Sequence, residues 1–314
     1  MMKRIKLYFT TTLILLITSQ LEAQHNAIVS QYMFNMYAIN PAYAGAKDYS
    51  TINGFYRSQW VGFEGAPSTQ TITFHKPLSK SNLGIGAQLF NDQIGVTKEF
   101  GLLGSAAYTI KMDRRKLSMG LSVGFKNFSS SWTELTTNEQ GDFNFSYDTQ
   151  NRFRPEFGLG AYYQSERWYF GFSIPYLFNT RISENNENIN TYYDAKNTNY
   201  LLAAGTAIEL DKNLILKPSA LLKVNPASTF QFDLNSNLII KNRFWIGFSY
   251  RHQDAILGIF EVQVNEKLKA GYSYDFTLSE IQRYSGGSHE MSLEYVIGRK
   301  PTIVNPRFAP KLYF

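Results

Sequence analysis

The chain contains no cysteine. It can carry neither a disulfide framework after export nor a lipid on an N-terminal Cys, so its stability must have another source. Histidine is nearly as scarce, with four in 314 residues. A cysteine-free chain so poor in histidine has few transition-metal ligands, and neither a metal nor any other cofactor is expected. Past residue 18 no run of 18 apolar residues exists, which excludes a spanning helix. No Pro-, Gly- or Ser-rich linker divides the chain, and no basic stripe offers a nucleic-acid footprint.

What is present starts with Met1, Met2, Lys3, Arg4, Ile5 and Lys6, followed by the apolar run from Leu7 to Thr18 and then Leu21, Glu22, Ala23 and Gln24. A basic start, a short oily stretch and a small residue form an export signal, expected to be cut after Ala23. Its removal with Lys3, Arg4, Lys6 and Glu22 lowers the formal charge from +6 to +4. Aromatic residues are 16% while all hydrophobic residues are only 44%. An all-β protein with its apolar surface spread one residue in two fits both figures, as outer-membrane barrels do.

Alternation is clearest from Lys116 to Lys126, where Leu117, Met119, Leu121, Val123 and Phe125 interleave with lysine, serine and glycine. Period two over that length is a strand with one oily face. The same pattern predicts strands over 49–60, 68–76, 82–90, 98–112, 116–128, 153–164, 168–178, 199–210, 213–224, 229–240, 243–251, 255–264, 267–276 and 290–298. These fourteen make a single antiparallel transmembrane β-barrel, an even count that places both termini on one side, the periplasmic one. Connections after even strands are short and most of those after odd strands are long, so the long ones are expected outside the cell. The expected organisation is a signal peptide over 1–23, a periplasmic N-terminal segment or plug over 24–48, the barrel over 49–298 and a periplasmic tail over 299–314. The compartment is the outer membrane, with lipid as one partner.

By parity Lys126, Glu156, Glu209, Lys217, Lys223, Asp233, Glu261, Lys269, Asp275 and Glu294 point into the lumen. Charges of both signs can pair across a filled interior, whereas a selective pore more often shows a ring of one sign. Tyr108, Tyr163, Trp168 and Phe244 at one rim and Phe100, Phe230, Tyr250 and Phe276 at the other read as aromatic girdles. His252 and Asp254 share an outer turn with His289 beyond it, the nearest thing to a surface-protease pair. No nucleophile or second acidic pair accompanies them, so no enzyme is expected.

Two stretches are more particular. The chain reads SQYMFNMYAINPAYAG from Ser30 to Gly45 and GFYRSQWVGFEGAPSTQTITFHKPL from Gly54 to Leu78. Pro41 presets φ and Gly45 can take positive φ, so the first ends in a tight turn anchored by Tyr43. Met33, Phe34, Met36 and Tyr37 form an adaptable apolar face suited to docking in the barrel mouth. These stretches resemble the opening of the PorP/SprF family of type IX secretion and gliding systems, with its SQYM, NPAYAG and YRxQW boxes followed by GAP and TQT. The NPRF at Asn305 to Phe308 resembles the family's tail, and Met36 stands where the family often has proline. The resemblance implies an outer-membrane component that binds periplasmic machinery, a secreted surface protein as cargo, or both, supporting secretion and surface attachment. The residues it points to for partner binding are Asn40, Pro41, Tyr43, Gly45, Arg57, Gln59, Trp60, Phe63 and Pro67. The rival reading is a porin-like transport channel with an open lumen.

Overall fold

The computed structural model describes residues 29–78, 81–135, 147–182, 189–227 and 230–298. The export signal, residues 24–28 and the NPRF tail lie outside these, as do the ends on which the expectation of two periplasmic termini rests.

The alternating segments form strands that follow one another around a closed wall. They are β1 (Ser50–Ser58), β2 (Ser68–Pro77), β3 (Leu83–Ile94), β4 (Thr97–Met112), β5 (Arg115–Ser130), β6 (Thr149–Gln164) and β7 (Trp168–Ile174). After a separate hairpin, β8 (Phe178–Ile182) with β9 (Ile189–Tyr193), the wall resumes at β10 (Tyr200–Thr206) and β11 (Ile208–Asp211). It continues through β12 (Leu214–Val224), β13 (Gln231–Ile240), β14 (Phe244–Arg251), β15 (Ala255–Gln263), β16 (Leu268–Thr277) and β17 (Ser288–Ile297). Every neighbouring pair is antiparallel, and β17 closes onto β1 with Ser50 opposite Ile297 and Ser58 opposite His289. No edge is left along the closed part of the wall, which removes the liability of an open sheet.

β10 and β11 are one barrel strand interrupted opposite a proline. The register is continuous across the break, Gly205 pairing with Ser219 and Ile208 with Leu216. Between them Thr206 would face Pro218, which has no N–H to donate. On the opposite side the Ala207 N–H donates to the Arg167 carbonyl at 2.9 Å, the next rung after Thr206 with Trp168, so the ladder toward β7 runs through the break. Counted this way the barrel has the expected fourteen strands.

The wall is polar inside and oily outside. Leu121 is 69% exposed and Phe248 67%, whereas Glu290 and His75 are fully buried. Water-soluble folds hide their leucines and expose their glutamates; the reverse arrangement is stable only where the outer face meets acyl chains. Trp168, Tyr108 and Phe244 near one rim and Phe100, Phe230, Tyr250 and Phe276 near the other all lie on that outer face and are exposed.

Some boundaries differ from the pattern. β3 runs on to Ile94 and β4 starts at Thr97, so the expected loop over 91–97 is a tight turn at Gly95 (φ 56°). Polar Asn91, Asp92 and Gln93 hide that extension from a hydrophobicity reading. β6 begins at Thr149, which shortens the expected loop over 129–152, and β7 ends at Ile174 because Pro175 follows. Glu209, expected in the lumen, stands opposite Ile215 at the rim and is exposed there.

Candidate functional site

The lumen is occupied by the segment ahead of β1. Three short 3-10 turns, Tyr32–Phe34, Met36–Ala38 and Pro41–Tyr43, fold residues 29–49 into a compact body. Its Tyr32, Met36, Tyr37, Ile39, Ala42 and Tyr43 pack with Phe55, Ala107, Tyr162, Tyr169, Leu201 and Leu221 of the wall in one buried cluster. Burial of each large side chain of this kind contributes about 1.5–3 kcal/mol.

Each part of the segment is tied to a different stretch of wall. Asn35 Nδ2 donates to Thr73 Oγ1 of β2 at 2.7 Å, and the Tyr37 hydroxyl donates to Ser105 Oγ of β4 at 2.9 Å. Ser173 Oγ of β7 donates to the Ile39 carbonyl at 2.7 Å. Asn40 caps the third turn by accepting the Ala42 N–H at 2.9 Å, while its amide donates to the Ala161 and Phe172 carbonyls at 3.1 and 3.2 Å. Pro41 occupies the first position of that turn, where a missing N–H costs nothing.

Tyr43 stacks edge-on to Tyr162 at 5.1 Å and to His75 at 5.6 Å. Burial pushes the Tyr37 and Tyr43 phenols up to about 12, the Ser105 hydroxyl moderating the former and Lys47 the latter. Gly45 turns the chain toward β1 with φ 71°, and a Cβ there would lie 2.6 Å from Gly84 Cα. Both its backbone angle and the close approach require glycine.

Charge pins the two ends. At the long-loop end the Ser30 and Gln31 N–H groups donate to the Glu290 carboxylate at 2.7 and 2.8 Å. Arg57 bonds Ser30 Oγ, lies 2.7 Å from Asp275 and 3.5 Å from Glu290. Arg251 joins the group through Asp233 at 3.2 Å, Asp254 at 3.3 Å and Asp275 at 3.6 Å. At the short-turn end Lys47 lies 2.6 Å from Glu294, and Lys269 bridges Glu294 and Glu261 at 3.9 and 3.4 Å. Burial alone would lower the Lys47 ammonium, but Glu294 and the neighbouring tyrosines outweigh it and raise its pKa. A third group, Lys126 with Glu99 at 3.2 Å and Glu156 at 3.9 Å, lies under Tyr176. The inward charges thus pair across the interior instead of ringing an aqueous pore. A cavity of ≈ 40 Å³ remains beside Val29, Ile39, Phe90, Asp92, Tyr176 and Lys223, room for a few water molecules.

The nine residues singled out by the sequence divide in two. Asn40, Pro41, Tyr43, Gly45 and Arg57 converge in the lumen. Gln59, Trp60, Phe63 and Pro67 shape the loop between β1 and β2. There the Gln59 N–H donates to the Pro67 carbonyl at 2.9 Å, and the Val61 N–H donates to Gly287 at 2.8 Å. The Trp60 N–H donates to Ser288 Oγ at 3.1 Å. Trp60 is held at φ 50° and Phe63 is 44% exposed.

Sequence reasoning missed Glu290, Arg251 and His75. Glu290 shares the parity of Glu294 on β17, the one signal that would have found it. Asp254 turns to Arg251 and His252 stacks on Phe232 at 4.6 Å, while His289 Nδ1 lies 2.6 Å from the Tyr272 hydroxyl. These side chains are therefore not assembled as a His–Asp pair. Among the described residues no cluster of three potential metal ligands forms.

A closed antiparallel barrel with an oily exterior and a packed lumen defines an outer-membrane β-barrel protein. The chain belongs to the family described as type IX secretion system membrane protein PorP/SprF, whose pattern it matches over residues 21–295. It is thus a component of the type IX secretion system in the outer membrane. Similar solved structures include the outer membrane protein Omp33 of Acinetobacter baumannii, at 9% identity and TM-score 0.46, over 80% of this chain and 99% of that one. A Pseudomonas aeruginosa FadL homologue matches at 12% identity and TM-score 0.46, over 82% and 92%. The Ralstonia pickettii toluene transporter TbuX matches at 10% identity and TM-score 0.45, over 86% and 92%. The comparison with curated proteins finds no match.

Proposed function

We propose that this barrel serves the type IX apparatus by binding, catalysing no reaction and passing no solute. Its partners are the periplasmic machinery, a secreted surface protein, or both, and binding supports that protein's secretion and attachment. The observation that carries this reading is the filled lumen. Five of the nine residues suggested by the family pattern are spent on holding residues 29–49 against the wall, which leaves rims and loops for partners. With the short turns in the periplasm, the tail over 299–314 leaves on the side of the machinery. The loop bearing Trp60, Val61 and Phe63 then faces outward. It is tied to neighbouring loops at Gly95 and Gly287, and a surface fixed in advance loses less entropy on binding.

The test has two arms. Purified protein in planar bilayers should give no large steady current; a stable open-channel conductance would overturn the reading in favour of a transport channel. In the producing cell, deletion should deplete at least one surface protein, and co-purification from membranes should recover type IX components. An unchanged surface proteome would dispose of the binding role.

A further inference from the structure

β4, β5 and β6 each have 16 residues, whereas β7 has 7. β7 ends at Ile174 opposite Leu159, so residues 149–158 of β6 pair with β5 on one side and, among the described residues, with no strand on the other. The Leu177 N–H reaches the Phe157 carbonyl at 2.8 Å. The Leu177 and Phe178 N–H groups also donate to Glu156 Oε1 at 2.9 and 3.2 Å, and Phe178 packs on Phe157 at 5.4 Å, so β8 starts against residues 156 and 157. β8 then pairs with β9 in a separate sheet, and no ladder joins it to β6 among the described residues.

The direction of each backbone group follows from that contact. Phe157 turns its carbonyl to the β7 side, as Ser165 turns its N–H, donated to the Trp168 carbonyl at 2.8 Å. Odd-numbered residues of β6 therefore bond away from β5 and even-numbered ones toward it. Between Thr149 and Arg152 the pairing with β5 shifts by one residue, a bulge at which the alternation stops, so it holds from Arg152 on. There the N–H and C=O of Phe153 and the C=O of Pro155 point to the open side. Proline inside a strand is tolerated where its missing N–H faces an edge, and Pro155 meets that condition.

Side chains beside this edge are sorted as sharply. On the outer face Phe153, 69% exposed, extends a row with Phe125 at 5.4 Å and Phe100 at 6.4 Å beyond it. On the inner face stand Arg152 and Arg154, the latter 3.0 Å from Glu99.

We propose that the β6 edge over residues 152–155 receives an extended strand of a secreted protein by main-chain hydrogen bonding. The fitting strand has apolar side chains on the positions beside Phe153 and polar ones beside Arg152 and Arg154. This inference rests on the binding role proposed above. The bare N–H and C=O groups ask for an extended backbone, the aromatic row and the two arginines set its alternation, and Pro155 limits its length. An unpaired edge presents a ready template for one more strand.

The test exploits the parity of the strand. Proline at 153 removes an N–H that faces the open side, whereas proline at 152 removes one that bonds β5. F153P should reach the outer membrane as a folded, heat-modifiable barrel at wild-type level. The surface protein lost on gene deletion should then fall at least tenfold, and R152P should fail at folding. Wild-type secretion by a folded F153P barrel overturns the inference and leaves the binding role standing. A deletion that changes no surface protein overturns the binding role, and this inference with it. Should F153P itself misfold, amide exchange of the wild-type protein in detergent decides. Fast exchange at Phe153 beside slow exchange at Val123 supports the open edge, and equal protection overturns it. A wild-type dimer that F153P converts to a monomer while secretion is unchanged overturns it in favour of pairing between copies.

Discussion

Glu290 and Glu294 stand four residues apart on the inner face of β17 and hold opposite ends of the segment that fills the barrel. Glu290 receives the backbone of Ser30 and Gln31, while Glu294 receives Lys47. One strand thus fixes a span of seventeen residues of luminal chain at both ends, within roughly 13 Å of strand. The two contacts differ in kind, because Glu290 has neutral donors and arginine around it and Glu294 has two lysines.

That difference predicts unequal mutants. Glu290→Gln keeps one acceptor for the Ser30 and Gln31 N–H groups and loses charge assistance, a cost of about 1.5–3 kcal/mol. Glu294→Ala leaves Lys47 and Lys269 buried with less compensation, a cost of about 3–5 kcal/mol. Thermal unfolding of the detergent-solubilised barrel should rank wild type above Glu290→Gln and Glu290→Gln above Glu294→Ala. The double change Lys47→Met with Glu294→Leu should recover most of the second loss. An unchanged midpoint in Glu294→Ala would show that the short-turn end of the segment is not held there.

Close approach gives a second prediction. A Cβ at Gly86 would lie 2.5 Å from the Tyr37 ring. Gly86→Ala therefore forces the tyrosine out of its seat, and overpacking of this sort costs about 1–3 kcal/mol. The same substitution in a Tyr37→Ala background should cost less than half as much. A thermal-melt double-mutant cycle reads the difference, and additive effects would place the ring elsewhere.

Strand number, direction and facing were legible because every lipid-facing position had to be apolar, and a period of two survives any loop. The break at Ala207 was hidden because it depends on a proline one strand away. The short β7 was hidden because Tyr176 and Phe178 keep the aromatic alternation running past Pro175 while the chain has already left the wall. At the candidate site Asn40, Tyr43 and Gly45 were recognised by resemblance, but their location was not. A polar Asn–Pro turn reads as a surface feature until the carbonyls of Ala161 and Phe172 are known to await its amide.

The loop between β1 and β2 carries the third prediction. Trp60 at φ 50° is a bulky residue in the left-handed region, a strain of about 1–2 kcal/mol that glycine does not suffer. Trp60→Gly should leave the melting midpoint unchanged or raise it slightly. If the loop meets a partner, the same variant should lower surface display of the dependent protein. A barrel that melts earlier without any loss of display would make Trp60 a structural residue of the rim.

Alkali should loosen the seal from within. Burial raises the Tyr37 and Tyr43 phenols to about 12 and moves Tyr32 in the same direction. In a state with the segment expelled, the same groups ionise near 10. The contribution of these tyrosines to holding the segment is complete below pH 10. It declines as pH rises from 10 toward 12, because the expelled form gives up its protons first. Each fully buried phenol can supply about 2–3 kcal/mol of this bias by pH 12. Planar-bilayer recordings should show brief openings that grow more frequent over that interval and vanish on return to pH 8. Tyr43→Phe keeps the ring contact with Tyr162 and removes one ionisable group, so its opening frequency should rise less steeply with pH. Equal slopes in the two proteins would mean that other groups govern the release.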